Sequence, residues 1–216
     1  MADKRVIYFR QPTNIGAEAN FEYVLSSARG MYFMWAASDD FWHPSFIEKN
    51  LANLEVHPNA ISSISNVLLD GNKFNEADSG VSPLTGSEVA KLRTFCRQPG
   101  ANSRFYSLFR KSALDGIAMQ RGYVAADWSI ICELIRKGDM LTILEYNGFF
   151  KSLSGAGSSP KKFLTNARSS IELFFPYAQF SNDVLARTSD LDIIFFLARL
   201  NTRANLERLK YFITRK

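Results

Sequence analysis

An unbroken apolar run at residues 31–37 ends in two neighbouring carboxylates, Asp39 and Asp40. The run is much shorter than the ~20 residues that span a bilayer, and it lacks the alternation of a half-exposed strand. It predicts a strand buried on both faces, as in a parallel or mixed sheet. Carboxylates just after the C-terminal end of such a strand lie where open α/β sheets bind ligands. Two of them are suited to hold a hard divalent cation, which can in turn hold a diphosphate.

The remaining patterns follow the rhythm of an α/β domain. Strands are predicted at 6–9, 60–69, 104–110 and 140–146. Helices are predicted at 17–29, from Pro44 with the face Phe46, Ile47, Leu51 and Leu54, at 88–96, and from Asp127. Residues 70–87 and 147–160 predict long loops, and 161–216 predict helices interrupted near Pro176 and restarted after Ser189. We expect a mostly parallel or mixed sheet flanked by helices in a domain of residues 1–160, with 161–216 as a helical extension packed on or beside it.

The charge of the chain is concentrated at its C-terminus. Residues 199–216 hold six Lys or Arg and one acid, which equals the net charge of +5 for all 216 residues. The rest of the chain is balanced, and this argues against nucleic acid as a partner. Three interpretations of the basic helix stay open: a solvated face, a peripheral contact with an anionic membrane surface, and a homodimer contact. The N-terminus lacks a secretory signal, so we expect a cytoplasmic protein that is either free in the cytoplasm or peripheral to the inner face of the membrane. Cys96 and Cys132 lack metal-ligand spacing, so we expect two reduced thiols.

Four segments in consistent order resemble family 2 glycosyltransferases between residue 5 and about residue 155. They are RVIYFRQPTNIGAEANF (5–21), GMYFMWAASDDFWHPSFIEKNLANLEVHPNA (30–60), FRKSAL (109–114) and ADWSIICELIRKG (126–138). Enzymes of that family have the GT-A fold and transfer a sugar from a nucleotide-diphosphate sugar to an acceptor hydroxyl with inversion. The resemblance therefore implies a GT-A-like domain in polysaccharide or glycan biosynthesis. It also implies a nucleotide-sugar donor and a glycan or lipid-linked acceptor as partners.

The resemblance implies roles for residues on the donor side. Asp39 and Asp40 fall on the acidic motif that holds Mn²⁺ or Mg²⁺ against the donor diphosphate, where a cation stabilises the charge of the departing group. Asn14 and Gly16 match the turn before the helix under the donor site. Trp42, beside the acids, is either a donor contact or an aromatic of the core. Capping of the helix that begins near Pro44 remains the alternative role of the two acids.

Asp127 falls on the acidic position that acts as general base and takes the proton of the acceptor hydroxyl. An N-terminal helix cap is the alternative, and one residue can serve both purposes. Ala37 and Ala126 stand where the family usually has further acids, and the nearest basic residue to the position of a family histidine is Lys151. By this resemblance we expect no counterpart of the family's first two strands, which carry the base and ribose contacts; the alternative is that a longer natural chain supplies them. Two hypotheses follow: a metal-assisted glycosyltransferase, or a non-catalytic glycosyltransferase-like module for scaffolding or dimerisation.

Overall fold

The structure is a computed structural model, and it describes residues 3–69, 72–73, 76–151, 171–172 and 175–213. The helices are α1 (Ala17–Ser27), α2 (Phe46–Glu55), α3 (Glu76–Ser79), α4 (Glu88–Arg97), α5 (Ala126–Leu134), α6 (Ala178–Leu185) and α7 (Leu191–Ile213). The strands are β1 (Tyr32–Phe33), β2 (Phe41–Trp42), β3 (Ala60–Leu69), β4 (Asn72–Lys73), β5 (Leu108–Arg110) and β6 (Asp139–Lys151). Two short 3₁₀ helices cover Ser103–Tyr106 and Lys111–Leu114.

The strands form one mixed sheet with the order β1-β5-β3-β6-β2, and β4 pairs with the end of β3. The central strands β3 and β6 run parallel from Ala60 opposite Asp139 to Leu69 opposite Lys151. The other pairs are antiparallel. Helices flank this sheet, so the predicted α/β class with a mixed sheet is confirmed.

The largest cluster of buried apolar side chains joins the sheet to α4, α5, α6 and α7. It includes Phe109 of β5, Leu92 and Phe95 of α4, Ile131 and Leu134 of α5, Phe180 and Val184 of α6, and Ile193 and Leu197 of α7. α5 is buried on most of its circumference because apolar residues occupy six of its nine positions and Ser129 is buried with them. Ion pairs from Arg93 to Asp190 and from Arg97 to Asp192 add to the contact between α4 and the start of α7.

The predicted strand at residues 6–9 was wrong. The segment is not part of the sheet, and Val6, Ile7 and Tyr8 are 73%, 90% and 83% exposed. A strand is stabilised by the hydrogen bonds of a neighbouring strand, and no strand in the described part of the chain pairs with this segment.

The predicted buried strand at 31–37 was wrong in its extent. Only Tyr32 and Phe33 pair, with Arg110 and Phe109 of β5, because β1 lies at the edge of the sheet. Met31 is exposed, whereas Trp35 is 2% exposed without belonging to a strand. The apolar character of residues 31–37 therefore reflects the packing of side chains such as Trp35 as well as the pairing of Tyr32 and Phe33 in the sheet.

Two further predictions were corrected in detail. The buried face of α2 contains Asn50 in place of Ile47, which is exposed. Asn50 is accommodated because its amide donates to the Phe46 carbonyl (2.9 Å) and its Oδ1 accepts from Ser63 of β3 (2.7 Å). The predicted strand at 104–110 begins as a 3₁₀ helix and becomes β5 only at Leu108.

α7 contains part of the predicted basic helix. Among its apolar residues Leu206 is exposed, whereas the side chains of Leu209, Phe212 and Ile213 lie outside the described part. Residues 152–170, which include most of the second predicted loop, also lie outside it. No helix in the described ranges is both long enough and apolar enough to cross a membrane.

Candidate functional site

Asp39 and Asp40 lie in the turn that leads into β2. The amide of Asp40 donates to the Ala37 carbonyl at 3.4 Å, and β2 then pairs antiparallel with the end of β6. In that register Phe41 faces Phe150, so the next position places Asp40 beside Lys151. Asp39 is exposed and Asp40 is half-buried.

Asp127 lies in the first turn of α5, and the N-cap of this helix is Ala125. Its Oδ2 accepts a hydrogen bond from Asn102 Nδ2 at 2.7 Å. Burial raises the pKa of the Asp127 carboxyl, while the Asn102 hydrogen bond and the charge of Lys151 oppose that rise. A carboxylate with a raised pKa is a stronger base than an ordinary one, and this suits proton abstraction from a hydroxyl.

Backbone strain is concentrated around Asp127. Within the described ranges, the non-glycine residues with positive φ are Asn102 (φ 48°) and Ala125 (φ 64°). Asn102 donates to the Asp127 carboxylate, and Ala125 precedes Asp127 by two residues. Strained residues of this kind persist where the surrounding structure holds them, and they are enriched at functional sites.

A cavity of about 650 Å³ opens next to Asp127. Asp127, Trp128 and Lys151 line it together with Tyr177, which precedes α6, and Glu207 of α7. The Trp128 and Tyr177 rings are stacked with centroids 5.7 Å apart, and the edges of Phe95 and Phe180 pack against Trp128. The cavity has the volume of a small-molecule site and presents aromatic and charged groups together.

Lys151 and Tyr106 connect the two acidic positions electrostatically. The charges of Asp40, Asp127 and Asp39 all oppose the lowering of the Lys151 pKa that burial causes. Burial and the same three carboxylates raise the pKa of Tyr106 to about 12. The structure thus brings the three predicted aspartates around one lysine and one tyrosine. Sequence reasoning noted Lys151 only as the nearest basic residue and missed Asn102 and Tyr106.

Of the predicted site residues only Asp127 lines the cavity; Asp39 and Asp40 lie outside the lining, as do Asn14, Gly16 and Trp42. Asn14 Oδ1 accepts from the Gly16 amide at 2.9 Å, and Gly16, with φ 83°, caps the exposed N-terminus of α1. The glycine is required there because the left-handed region disfavours a side chain. The Trp42 ring stacks on Phe149 at 5.2 Å, and its buried Nε1 has no hydrogen-bond partner in the described part of the protein.

The carboxylate pair fits a metal ion that arrives with its ligand. No group of three or more His, Cys, Asp and Glu side chains in the described ranges is arranged to hold a metal ion. Mg²⁺ is commonly bound through one or two carboxylates, with waters and substrate phosphates completing the octahedron. Asp39 and Asp40 supply the hard oxygen ligands that this arrangement needs.

Comparison with known proteins adds a family match over the first half of the chain. The sequence model of the family described as Glycosyl transferase family 2 matches residues 1–117. These residues include Asn14, Asp39 and Asp40 and end before Asp127. Uncharacterized proteins of Mycobacterium bovis and of two strains of Mycobacterium tuberculosis are each 47% identical to the chain over 47 residues. The matched region spans 21% of this chain but only 14% of the length of each of these curated relatives.

Proposed function

The chain belongs to glycosyl transferase family 2, and on that premise we propose that it transfers a sugar from a nucleotide-diphosphate sugar to an acceptor hydroxyl, with inversion at the anomeric carbon. The observation that carries this proposal is that the charges of Asp39, Asp40 and Asp127 all act on the pKa values of Lys151 and Tyr106, and that Asp127, Lys151 and Tyr106 line the 650 Å³ cavity. An acidic pair near Lys151 and a carboxylate inside the cavity provide a donor end and an acceptor end for a single displacement.

On the donor side, Asp39 and Asp40 hold Mn²⁺ or Mg²⁺ against the diphosphate. The metal ion, when bound, stabilises the negative charge that the departing nucleoside diphosphate gains. Asn14 and Gly16 are assigned to the donor by their match to the family, and Trp42 is assigned to it by its position beside the two acids. The orphaned Nε1 of Trp42 supports this role, since a buried indole N–H usually has an acceptor.

On the acceptor side, Asp127 is the general base. The acceptor oxygen forms its bond to the anomeric carbon while the bond from that carbon to the diphosphate oxygen breaks. The hydroxyl proton passes to the Asp127 carboxylate, and the electron pair of the broken bond leaves with the diphosphate. The raised pKa of Asp127 and its hydrogen bond from Asn102 support this role, because they combine basicity with a fixed orientation. Trp128 and Tyr177 then form the aromatic wall of an acceptor site.

The wider assignments belong to the same proposal. The acceptor is a glycan or lipid-linked glycan, and the protein acts in the cytoplasm, free or at the inner face of a membrane through its basic C-terminal helix. We assign residues 1–160 to the GT-A-like domain and residues 161–216 to its C-terminal extension, whose described helices are α6 and α7. Tyr177 and Glu207 in the cavity lining support a role of this extension in acceptor binding.

A second candidate function is a non-catalytic scaffold or homodimerisation module. The exposed apolar segment at residues 6–9 favours it, because such a segment is stabilised by a partner strand. This candidate predicts a stable homodimer that binds no nucleotide. If light scattering shows a monomer at micromolar concentration, that result would count against the homodimerisation candidate.

Calorimetric and thermal-shift titration with UDP, GDP and dTDP, each with and without Mn²⁺, tests the transferase proposal. We expect one nucleotide to bind and stabilise the protein only when Mn²⁺ is present. Asp39→Asn should weaken that binding by at least about 10–100-fold, the loss that already follows when an outer-shell partner of a metal ligand is replaced. Asp115→Asn, at an exposed aspartate outside the cavity lining, is the matched control. Unchanged binding by the folded Asp39→Asn variant would refute the donor assignment.

A further inference from the structure

We propose that the outward face of α7 docks on an anionic lipid bilayer. α7 carries two apolar stripes along its length, one that packs in the core and one that is exposed to solvent. Exposed arginines border the second stripe. The docking itself does not depend on the proposed function, whereas its consequence for the acceptor rests on that function.

The inward stripe fixes how α7 is rotated against the rest of the protein. Ile193 and Leu197 belong to the largest core cluster and are 1% and 3% exposed. One turn further on, the Oδ1 of the buried Asn201 accepts a hydrogen bond from the Tyr177 amide at 3.1 Å. Residues three or four apart lie on one face of a helix, so these contacts determine which residues of α7 face outward.

The outward stripe continues along several turns of the helix. Leu191, Phe195 and Leu206 are 68%, 67% and 54% exposed. The small exposed residues Ala198 and Thr202 lie between them, so the spacing of three or four residues that defines one helical face is unbroken. At a rise of about 1.5 Å per residue, the stripe is about 22 Å long. An exposed apolar surface of this extent is typical of a site that binds a partner.

Cations border the outward stripe on one side. Arg199 and Arg203 are exposed and lie one helical turn apart beside the stripe. Asp192, the acid on the same side, is paired with Arg97 of α4. The ion pair between Arg203 and Glu207 is exposed, so it contributes little and leaves the guanidinium group accessible to phosphates. An apolar stripe flanked by cations is the pattern of a helix that lies in the interface of an anionic membrane, with its apolar side chains below the headgroups.

The charge of the segment decides between a bilayer and a second copy of the chain. Residues 199–216 hold six Lys or Arg and one acid. Two copies that met through this face would bring two such segments together, and their like charges would repel. Anionic headgroups attract the same charges within about a Debye length of the membrane surface. The outward face of α7 therefore fits a bilayer better than it fits a second copy.

α7 also forms part of the cavity wall. Glu207, which lines the cavity, directly follows Leu206 of the outward stripe. Because a helix with its side chains is about 10–12 Å across, docking holds this wall within about one helix diameter of the membrane surface. Under the proposed function, the acceptor hydroxyl of a lipid-linked glycan then enters the cavity from the bilayer. The acceptor class thereby narrows from any glycan to one that is anchored to a lipid.

Sedimentation of the full chain with lipid vesicles measures the docking. One set of vesicles contains phosphatidylcholine and phosphatidylglycerol in equal parts, and the other contains phosphatidylcholine alone. The double variant Phe195→Ser/Leu206→Ser removes the large apolar side chains, and Arg199→Gln/Arg203→Gln removes the cations. Melting curves establish that each variant is folded.

Two control variants make the same kinds of change outside α7. Ile47→Ser removes an apolar side chain of α2 that is 54% exposed, as Leu206 is. Lys49→Gln/Arg29→Gln removes two exposed cations, as the arginine variant does. Both controls should bind vesicles like the wild type, because their side chains lie outside the docking face.

We expect the wild type to bind the anionic vesicles at least about 30-fold more tightly than the neutral ones, since two cations near an anionic surface each contribute about 1 kcal/mol. Arg199→Gln/Arg203→Gln should weaken binding to the anionic vesicles by about the same factor of 30. Phe195→Ser/Leu206→Ser should bind about 20–400-fold more weakly, the range for burying the exposed 67% and 54% of these two residues.

Equal affinity of the wild type for the two kinds of vesicle would overturn the docking, and so would folded α7 variants that bind like the wild type. Light scattering without vesicles should show a monomer. A dimer that Phe195→Ser/Leu206→Ser dissociates would assign the face to a second copy of the chain instead. These measurements contain no nucleotide, so a failure of docking and a failure of the proposed function are seen in separate experiments.

Discussion

The variant Ala125→Gly should be more stable than the variant Ala126→Gly, although the two residues are neighbours in the chain. Ala125 is the N-cap of α5 and has φ 64° and ψ 30°, a left-handed conformation that costs an L-residue about 1–2 kcal/mol. Glycine adopts this conformation without that cost, but it loses about 0.4–1 kcal/mol through the greater freedom of the unfolded chain. Loss of the half-buried methyl group of Ala125 costs about a further 0.4 kcal/mol of stability, half the value for a fully buried carbon. We therefore expect Ala125→Gly to change the free energy of unfolding by between about −0.4 and +1.2 kcal/mol, with a central value of about +0.4 kcal/mol.

Ala126→Gly provides the matched control, because Ala126 is the first residue of α5 and its side chain is buried. Glycine there should cost about 1 kcal/mol of helix propensity and about 0.8 kcal/mol of methyl burial. Urea denaturation of the two variants should then differ by about 2 kcal/mol, and their melting temperatures by about 4–8 °C for a chain of this size. Equal destabilisation by the two replacements would refute the assignment of strain to Ala125.

Two other predictions follow from burial. The pKa of Asp127 is higher in the folded than in the unfolded state, so the stability of the wild type decreases as the pH rises from the unfolded-state pKa to the folded-state pKa. Asp127→Asn should therefore be more stable than the wild type at neutral pH. It should lose that advantage at a pH below both pKa values. Melting temperatures between pH 3 and pH 8 measure this, and a less stable Asp127→Asn at pH 7 would contradict it. Burial raises the pKa of Cys96 to about 12 and that of Cys132 well above its usual range, so a disulfide reagent at pH 8 should label neither thiol until denaturant is added. Rapid labelling of the native protein would show that the two side chains are accessible.

The sequence predicted where helices and strands lie along the chain better than it predicted which strands pair in the sheet. β3 has the bounds expected from its apolar pattern, and α4 and α5 begin within one residue of their predicted starts. These elements are recognised by periodicity and end signals that lie within about ten residues. The segments at 6–9 and 31–37 were misjudged because pairing depends on which strands are adjacent, and that information is not local.

The site shows the same division. Asp39, Asp40 and Asp127 were named from their match to a family pattern, and the structure brings all three within electrostatic reach of Lys151. Lys151 itself could not be placed from sequence, because its position depends on the pairing of β2 with β6 across more than a hundred residues. Asn102 depends likewise on the left-handed turn that aims its amide at Asp127. To place Lys151, the sequence would have had to indicate how β2 pairs with β6. β2 has two residues, and so short a strand has no pattern from which its pairing could be predicted.

The exposed segment at residues 6–9 has a consequence for how the protein behaves in concentrated solution. Four exposed residues of high β-propensity that pair with no strand in the described part of the chain are a template for intermolecular strand addition and aggregation. Arg10 follows them, and Arg5 precedes them in an exposed ion pair with Asp3. Cationic flanks of this kind act as gatekeepers, since stacking two copies in register would bring like charges together. Because screening shortens the reach of those charges to about 3 Å at 1 M salt, colloidal stability should be greatest in buffers of low ionic strength.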